Sequence, residues 1–412
     1  MVPKLRFKEF KKDWQQKKIG DVFTIFSGFT FKSTDATTSG CRWLKIADVG
    51  CQVMTPNTPS FLPSHFSTKY HRFLIREDDC VVALTRPILN GKLKVAIAGK
   101  DYDGSLLNQR VGKIITKNNI GFVFSLLQME STVSKINDCI AGTDPPNLST
   151  QDIKDMMVLI PTIEEQTKIA DFMSSVDEKI TLLNKQYNLL CQYKKSMMQK
   201  IFNQEVRFRD ENGDIFPAWQ EDILSNLGNA YSGLTGKTAE DFGKGTFYIT
   251  YKQIFDNRII QPKDFGLVCI SKNEKQNKVK YGDLFFTTSS ETPDEVAFCS
   301  VFLETDMSDC YLNSFCFGYR LKNIDENHPV FLSFLFRSEY FRAKVKTLAQ
   351  GSTRYNISKA QFMMLSVNVP VTKEQTKIAN FLSALDDKIA IKKVELDRLK
   401  TWKQGLLQQM FI

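Results

Sequence analysis

The sequence predicts an α+β fold built twice: two tandem homologous globular domains of mixed α and β structure, joined by two long helices that pair as an antiparallel coiled coil with pseudo-twofold symmetry. Three observations predict it. The stretch EEQTKIADFMSSVDEKI from Glu164 returns as KEQTKIANFLSALDDKI from Lys373, 209 residues on (373 − 164). Each copy opens a run whose apolar residues repeat every 3.5 residues, the period of a coiled coil. Ahead of each copy, short β-rich runs and one helical run follow in the same order.

The repeat reaches well beyond its core. At the same offset Pro161 matches Pro370, Asp177 matches Asp386, Lys194 matches Lys403, and Phe202 matches Phe411. Upstream, Gly142, Asn147 and Ser149 match Gly351, Asn356 and Ser358. Near the front, LRF at Leu5 resembles VRF at Val206, Trp14 parallels Trp219, and Ser27-Gly28 parallels Ser232-Gly233. A unit of this length is a duplicated domain pair and not a solenoid. The expected boundaries are a first domain at 1–159, a central helical region at 160–203, a second domain at 204–368 and a C-terminal helical region at 369–412.

In the first domain DDCVVALTRP, KLKVAIAG and RVGKIIT read as strands, followed by a helical IGFVFSLLQMESTVSKI. In the second, GDLFFTTSS, EVAFCSVFL and SFCFGYRL read as strands before a helical PVFLSFLFRSEYFRAKVKTL. LLNQ at Leu106 and YLNS at Tyr311 fall just before corresponding strands, and Asn108 and Asn313 suit a turn.

The helix after Pro161 carries the seam Ile169, Met173, Val176, Ile180, Leu183, Tyr187, Leu190, Lys194, Met197 and Ile201. The helix after Pro370 carries Ile378, Leu382, Leu385, Ile389, Lys392, Leu396, Leu399, Lys403, Leu406 and Met410. Proline is tolerated at a helix start, and Glu164, Glu165 and Glu374 favour the positive end of its dipole. Lysines in such a seam bury their stems or set register. Antiparallel pairing would hold the two domains at opposite ends of a rod, so that spacing itself is a function.

Composition bounds the function. The 412 residues have room for two or three domains. The net charge of +9 and pI of 8.9 suit phosphate contacts, though the charges are spread along the chain. Neither a signal peptide nor a long apolar span stands out, so a cytoplasmic, membrane-free protein is expected. Nine cysteines without a CxxC pair and only three histidines argue against disulfides, zinc and other metal sites.

Three motifs resemble catalytic ones and fail. TDPPN at Thr143 lacks the aromatic of an amino-methyltransferase DPPY signature, and no glycine-rich cofactor loop accompanies it. SGLTGKT at Ser232 has Tyr231 where a P-loop needs its first glycine. PDEV at Pro293 lacks the later acidic-x-lysine of a nuclease. No covalent chemistry is expected.

The domains do carry polar, glycine-bearing loops suited to DNA. The first offers Lys32, Arg86, Asn90, Lys92 and Lys94, with Asn108, Gln109 and Arg110 shortly after. The second offers Lys237, Thr287, Thr288, Ser289 and Ser290, then Ser352, Thr353, Arg354, Tyr355 and Asn356. Arginine pairs with guanine, asparagine or glutamine with adenine, serine or threonine with either, and lysine mostly with phosphate.

IPTIEEQTKIADF at Ile160 and VPVTKEQTKIANF at Val369, each preceded by a glycine-to-NLS or NIS run and each opening a long helix, resemble the specificity subunits of type I restriction-modification systems. The resemblance covers essentially the whole chain. It implies two target-recognition domains, each reading one half of a bipartite double-stranded DNA site, and two helices that measure the spacer. It implies two methyltransferase subunits docked around the helices, with Glu165, Gln166, Ile169, Phe172, Glu374, Gln375, Ile378 and Phe381 as candidate contacts. It implies two motor and endonuclease subunits as well, with S-adenosylmethionine, ATP and Mg in those partners and no cofactor here. Two other classes stay open: a coiled-coil adaptor binding only proteins, and a stand-alone methyltransferase or nuclease.

Overall fold

The computed structural model describes residues 2–55, 58–140, 145–305, 307 and 309–411. Gly142 of the repeat, and Thr143 and Asp144 of the TDPPN run, lie outside them. The chain divides into two compact units, one of Met1–Lys185 with Val394–Ile412, the other of Gln186–Lys393. Each unit therefore combines a globular head with a part of both long helices.

The head of the first unit is built on a four-stranded antiparallel sheet in the order Phe23–Ser27, Val111–Thr116, Cys80–Ala83, Val95–Ile97. The second unit repeats that order with Gly228–Ser232, Cys316–Leu321, Leu284–Thr287 and Cys299–Val301. The inner strands Cys80–Ala83 and Leu284–Thr287 are largely apolar and buried throughout because both their faces are covered. A smaller three-stranded sheet accompanies each, centred on Cys41–Leu44 in the first unit and on Phe242–Ile249 in the second.

The repeated Ser-Gly pair is explained by close approach. A Cβ on Gly28 would lie 2.2 Å from the Leu107 carbonyl oxygen, and one on Gly233 would lie 2.1 Å from that of Asn313. Asn108 and Asn313 shape the turns beside them: their Oδ1 atoms accept from Arg110 N at 3.0 Å and Phe315 N at 2.9 Å.

Each helical run expected as one helix is two. In the first unit Ile120–Leu126 is followed by Glu130–Ile140. In the second, Pro329–Arg337 gives way to Glu339–Lys346 at Ser338, whose hydroxyl accepts from Phe341 N and caps the new helix. A residue satisfying the next helix's first N–H groups in this way marks a break that apolar periodicity does not reveal.

The long helices run Ile163–Phe202 and Thr372–Met410, 40 and 39 residues. All twenty expected seam positions are buried or half-buried. Within the first unit Asp177 lies beside Lys403, and Phe172 beside Trp402. Within the second, Lys194 pairs with Asp386, and Lys393 lies over the Tyr187 ring. In the second unit the higher number on one helix meets the lower number on the other, so the helices run antiparallel there. Among the described residues no helix is long and apolar enough to cross a membrane.

Candidate nucleic-acid interface

Each helix start makes polar contacts far along the chain. Glu165, 1% exposed, accepts from Arg6 Nε at 2.7 Å, Arg6 Nη2 at 2.8 Å and Trp14 Nε1 at 3.2 Å. Glu374 does the same with Arg207 Nε and Nη2, both at 2.8 Å, and with Trp219 Nε1 at 3.2 Å. A bidentate guanidinium and an indole N–H together offset the cost of burying the carboxylate.

Gln166 spans Asn119 N, Asn118 Oδ1 and Pro161 O at 3.0 Å each, and Gln375 spans His328 N, Glu326 O and Pro370 O. The repeated Glu-Gln pair thus fastens each helix to its own head. Ile169 and Ile378 are buried in the same cores, and Phe172 and Phe381 are half-buried against Phe7 and Phe208. The helices expose other apolar side chains: Leu182 and Tyr193 on the first, Ile391 and Trp402 at the matching repeat positions of the second.

In the first unit, Arg86 is exposed at φ +47°, directly after the buried strand Cys80–Ala83 and the buried Leu84 and Thr85. Its backbone N–H donates to Pro146 O at 2.8 Å. The hairpin Ile88–Leu89 and Lys92–Leu93 follows, turned by Asn90 and Gly91 at φ +49° and +73°. Asn-Gly is the pair that tolerates such a turn best. Asn90 and Lys92 open on a cleft of about 970 Å³ with Gln52, Gln404 and Gln408. Lys94 points elsewhere: its ammonium donates to Ile46 O at 3.0 Å, and burial pushes its pKa down. Lys32 is exposed on a separate loop, its N–H held by Asp35.

In the second unit, Ser289–Ser290 pairs with Tyr355–Asn356 as a short antiparallel ladder. Ser289 and Ser290 are buried, at 3% and 6% exposure, and Thr288 donates its hydroxyl to Phe315 O. Arg354 Nε donates to Ser289 Oγ at 3.2 Å, with the guanidinium 5.7 Å from the Phe315 ring centre. Ser352 is exposed on the loop leading to it.

Ser289, Ser290, Arg354 and Tyr355 are therefore brought together. Lys237 joins a different network, bonding Cys269 O and Glu274 at 2.6 Å each. Together with the Gln276 amide and the Ser271 N–H, its ammonium holds the Glu274 carboxyl down to about 2.

The 289–290 strand also borders a cleft of about 590 Å³ lined by Tyr251, Phe255, Glu295 and Arg354. The sequence reading passed over Tyr251 and Phe255, and met Glu295 only within PDEV, as part of a failed nuclease motif. The two aromatics one turn apart in YKQIF carried a faint signal. Glu295 stood in PDEV but gave no sign of this place, because only the folded loop turns it toward Ser290.

The two interfaces occupy one place in the fold. Thr85 bridges Asn147 as Ser289 pairs with Asn356, so Arg86 and Ser290 are equivalent positions with unlike chemistry.

The family model described as type I restriction modification DNA specificity domain matches residues 11–192 and again 218–401. Over 207 residues the chain is 31% identical to the type I restriction enzyme MjaVIII specificity subunit of Methanocaldococcus jannaschii. That stretch is 50% of this chain and spans 49%, about half, of that relative's own length. The crystal structure of a type I restriction-modification system S subunit from M. genitalium shares the fold, with TM-score 0.59 at 16% identity, over 100% of this chain and 99% of that one. A chain from a structure on complex assembly and conformational transition of the type I R-M system aligns with TM-score 0.57 at 16% identity, over 98% of this chain and 99% of its own. With the family model covering most of the sequence in two consecutive copies, the chain belongs to the type I restriction modification DNA specificity domain family.

Proposed function

We propose that this chain is the DNA sequence-recognition subunit of a type I restriction-modification complex and does no catalysis itself. The observation that carries this reading is the contrast between helix anchors and loops. The anchors of the two units use the same donors around Glu165 and Glu374, a bidentate arginine and an indole N–H, while the equivalent loop positions hold Arg86 in one and Ser290 in the other. One scaffold that presents two different surfaces suits a DNA site with two different halves.

In this reading the domain at 1–159 reads one half-site and that at 204–368 the other. Arg86, Asn90, Lys92 and Lys32 serve the first; Thr288, Ser352, Arg354 and Tyr355 serve the second. Ser289 and Ser290 position Arg354 and its neighbours, and Lys94 and Lys237 brace the loops that they tie down. The helical regions at 160–203 and 369–412 set the spacer and dock two methyltransferase subunits.

Glu165, Gln166, Ile169, Glu374, Gln375 and Ile378 hold the helices to the heads, with Phe172 and Phe381 at the margin. Leu182, Tyr193, Ile391 and Trp402 supply exposed partner contacts. Methylation with S-adenosylmethionine, and ATP- and Mg-dependent cleavage by two further motor subunits, belong to partners in the cytoplasm.

The test is methylated-base sequencing of the host genome with the gene intact and deleted. Loss of one bipartite methylated motif on deletion is expected, together with copurification of a methyltransferase. A purified chain that binds protein partners while every methylated motif survives its deletion would overturn the proposal.

A further inference from the structure

Resting on that reading, we infer that the cleft of the second unit reads one C·G base pair of the second half-site, with Glu295 accepting from the cytosine amino group and Arg354 donating to the guanine. The cleft, of about 590 Å³, is lined by the rings of Tyr251 and Phe255 together with Ser290, Glu295, Thr353 and Arg354. A second carboxylate, Glu291, lies on the same rim. Two carboxylates make this a poor seat for a phosphate, so the cleft does not follow the DNA backbone. What a carboxylate can accept from a base edge in the major groove is an exocyclic amino group, that of cytosine or of adenine.

Arg354 decides between them. A guanidinium is a rigid fork of donors and pairs best with two adjacent acceptors, which only guanine offers, as O6 and N7. A donor on one side chain and an acceptor on another therefore complement the two bases of a single C·G pair.

Both groups are braced. Glu295 Oε2 accepts from Thr292 Oγ1 at 2.9 Å and Ser290 Oγ at 3.2 Å, while Oε1 accepts from no group among the described residues. Arg354 is tied through Nε to Ser289 Oγ, and its two terminal nitrogens have no hydrogen-bond partner among the described residues. Consecutive serines of one short strand thus orient a donor and an acceptor and leave their reading atoms available. Fixing both side chains before DNA arrives lowers the ordering cost of binding. The first unit has no such pair: at the repeat offset Pro145 and Pro146 stand where Arg354 and Tyr355 do.

The experiment is methylated-base sequencing in the host with its native partner subunits, comparing wild type, Glu295→Gln and Arg354→Gln. The wild-type motif is expected to include a C·G pair in its second half-site. Each variant is expected to methylate sites with other pairs at that one position about tenfold more often, keeping the first half-site and the spacer. An unchanged Glu295→Gln motif, a second half-site without a C·G pair, or uniform loss of methylation by an assembled variant complex overturns the assignment. Should a variant fail to assemble, the wild-type complex decides. N4-methylcytosine at that pair, which places a methyl group where the carboxylate must sit, is expected to weaken binding about tenfold, and unchanged binding overturns the assignment. If deleting the gene removes no bipartite motif, it is the function beneath this inference that fails.

Discussion

Lys403 Nζ lies 2.6 Å from Asp177 Oδ1 inside the helix seam of the first unit, and the repeat carries that pair onto Lys194 and Asp386 in the second. The lysine of one copy meets the aspartate of the other, which is what an antiparallel pair of equivalent helices requires. Each pair also reaches its head. Lys403 donates to Gln128 Oε1 at 2.9 Å and Gln52 Oε1 at 3.3 Å, and Arg258 Nη2 donates to Asp386 at 3.0 Å. The seam lysines are therefore junctions where both helices and a head meet.

Removing the carboxylate should cost more than removing the lysine. Lys403 is 5% exposed, so Asp177→Ala leaves an ammonium with only two amide acceptors. Losing one partner of a fully buried pair costs about 3–5 kcal/mol. Asp177 is 37% exposed, so solvent screening reduces the expected loss to about 1–2 kcal/mol. Lys403→Met, which keeps the apolar stem, should cost less than about 1 kcal/mol. Urea denaturation followed by hydrogen exchange in the first unit measures both, and equal losses would refute the ordering.

The anchors at Glu165 and Glu374 should be interchangeable in energy. Each accepts a bidentate arginine and an indole N–H while nearly inaccessible to water. Glu165→Ala and Glu374→Ala should each destabilise by about 3 kcal/mol, since each leaves a partly buried guanidinium and an indole N–H unmatched. Limited proteolysis should show opening confined to the unit that carries the substitution. Opening of the other unit instead would mean that the anchor does not serve its own head.

These anchors show what a sequence displays and what it hides. The seam was legible because burial recurs at fixed spacing, down to Leu396 and Lys403. Trp14, Glu165 and their counterparts were legible as repeated residues, yet their purpose was not, because 151 residues separate Trp14 from the carboxylate it meets. The same limit explains the loops. Lys94 and Lys237 look like phosphate ligands in sequence, and only folding turns one toward Ile46 O and the other toward Glu274. Glu295 was met only inside the rejected PDEV motif, since nothing in the sequence shows that the folded loop turns its carboxylate toward Ser290.

Arg86 and Lys92 should fail differently. Arg86 projects from a backbone fixed by the Pro146 contact, so Arg86→Ala should relax one position of the first half-site, at a cost of about 1–3 kcal/mol for the cognate site. Lys92 stands on an exposed hairpin, and Lys92→Ala should weaken binding on all sequences alike, lowering the salt slope by about 1. Fluorescence titrations of the assembled complex on single-base variants at several salt concentrations separate the two. Uniform weakening by Arg86→Ala would make it a phosphate contact.

The spacer prediction follows from where the junctions lie. Ile180 falls between Asp177 and Lys194 on the first helix, and its repeat equivalent Ile389 falls between Asp386 and Lys403 on the second. Seven residues inserted after each leave both lysine–aspartate pairs with their own heads. Because the seam repeats every 3.5 residues, a heptad also preserves the apolar face. Each insertion adds about 10 Å of helix, and at about 3.4 Å per base pair the spacer should lengthen by roughly three base pairs. A heptad in one helix alone should disrupt assembly, since it leaves the partner helix too short to keep both pairs. Methylated-base sequencing of the doubly extended chain reads the outcome: a longer spacer between unchanged half-sites is expected, and changed half-sites with the old spacer would show that the helices do not measure the distance.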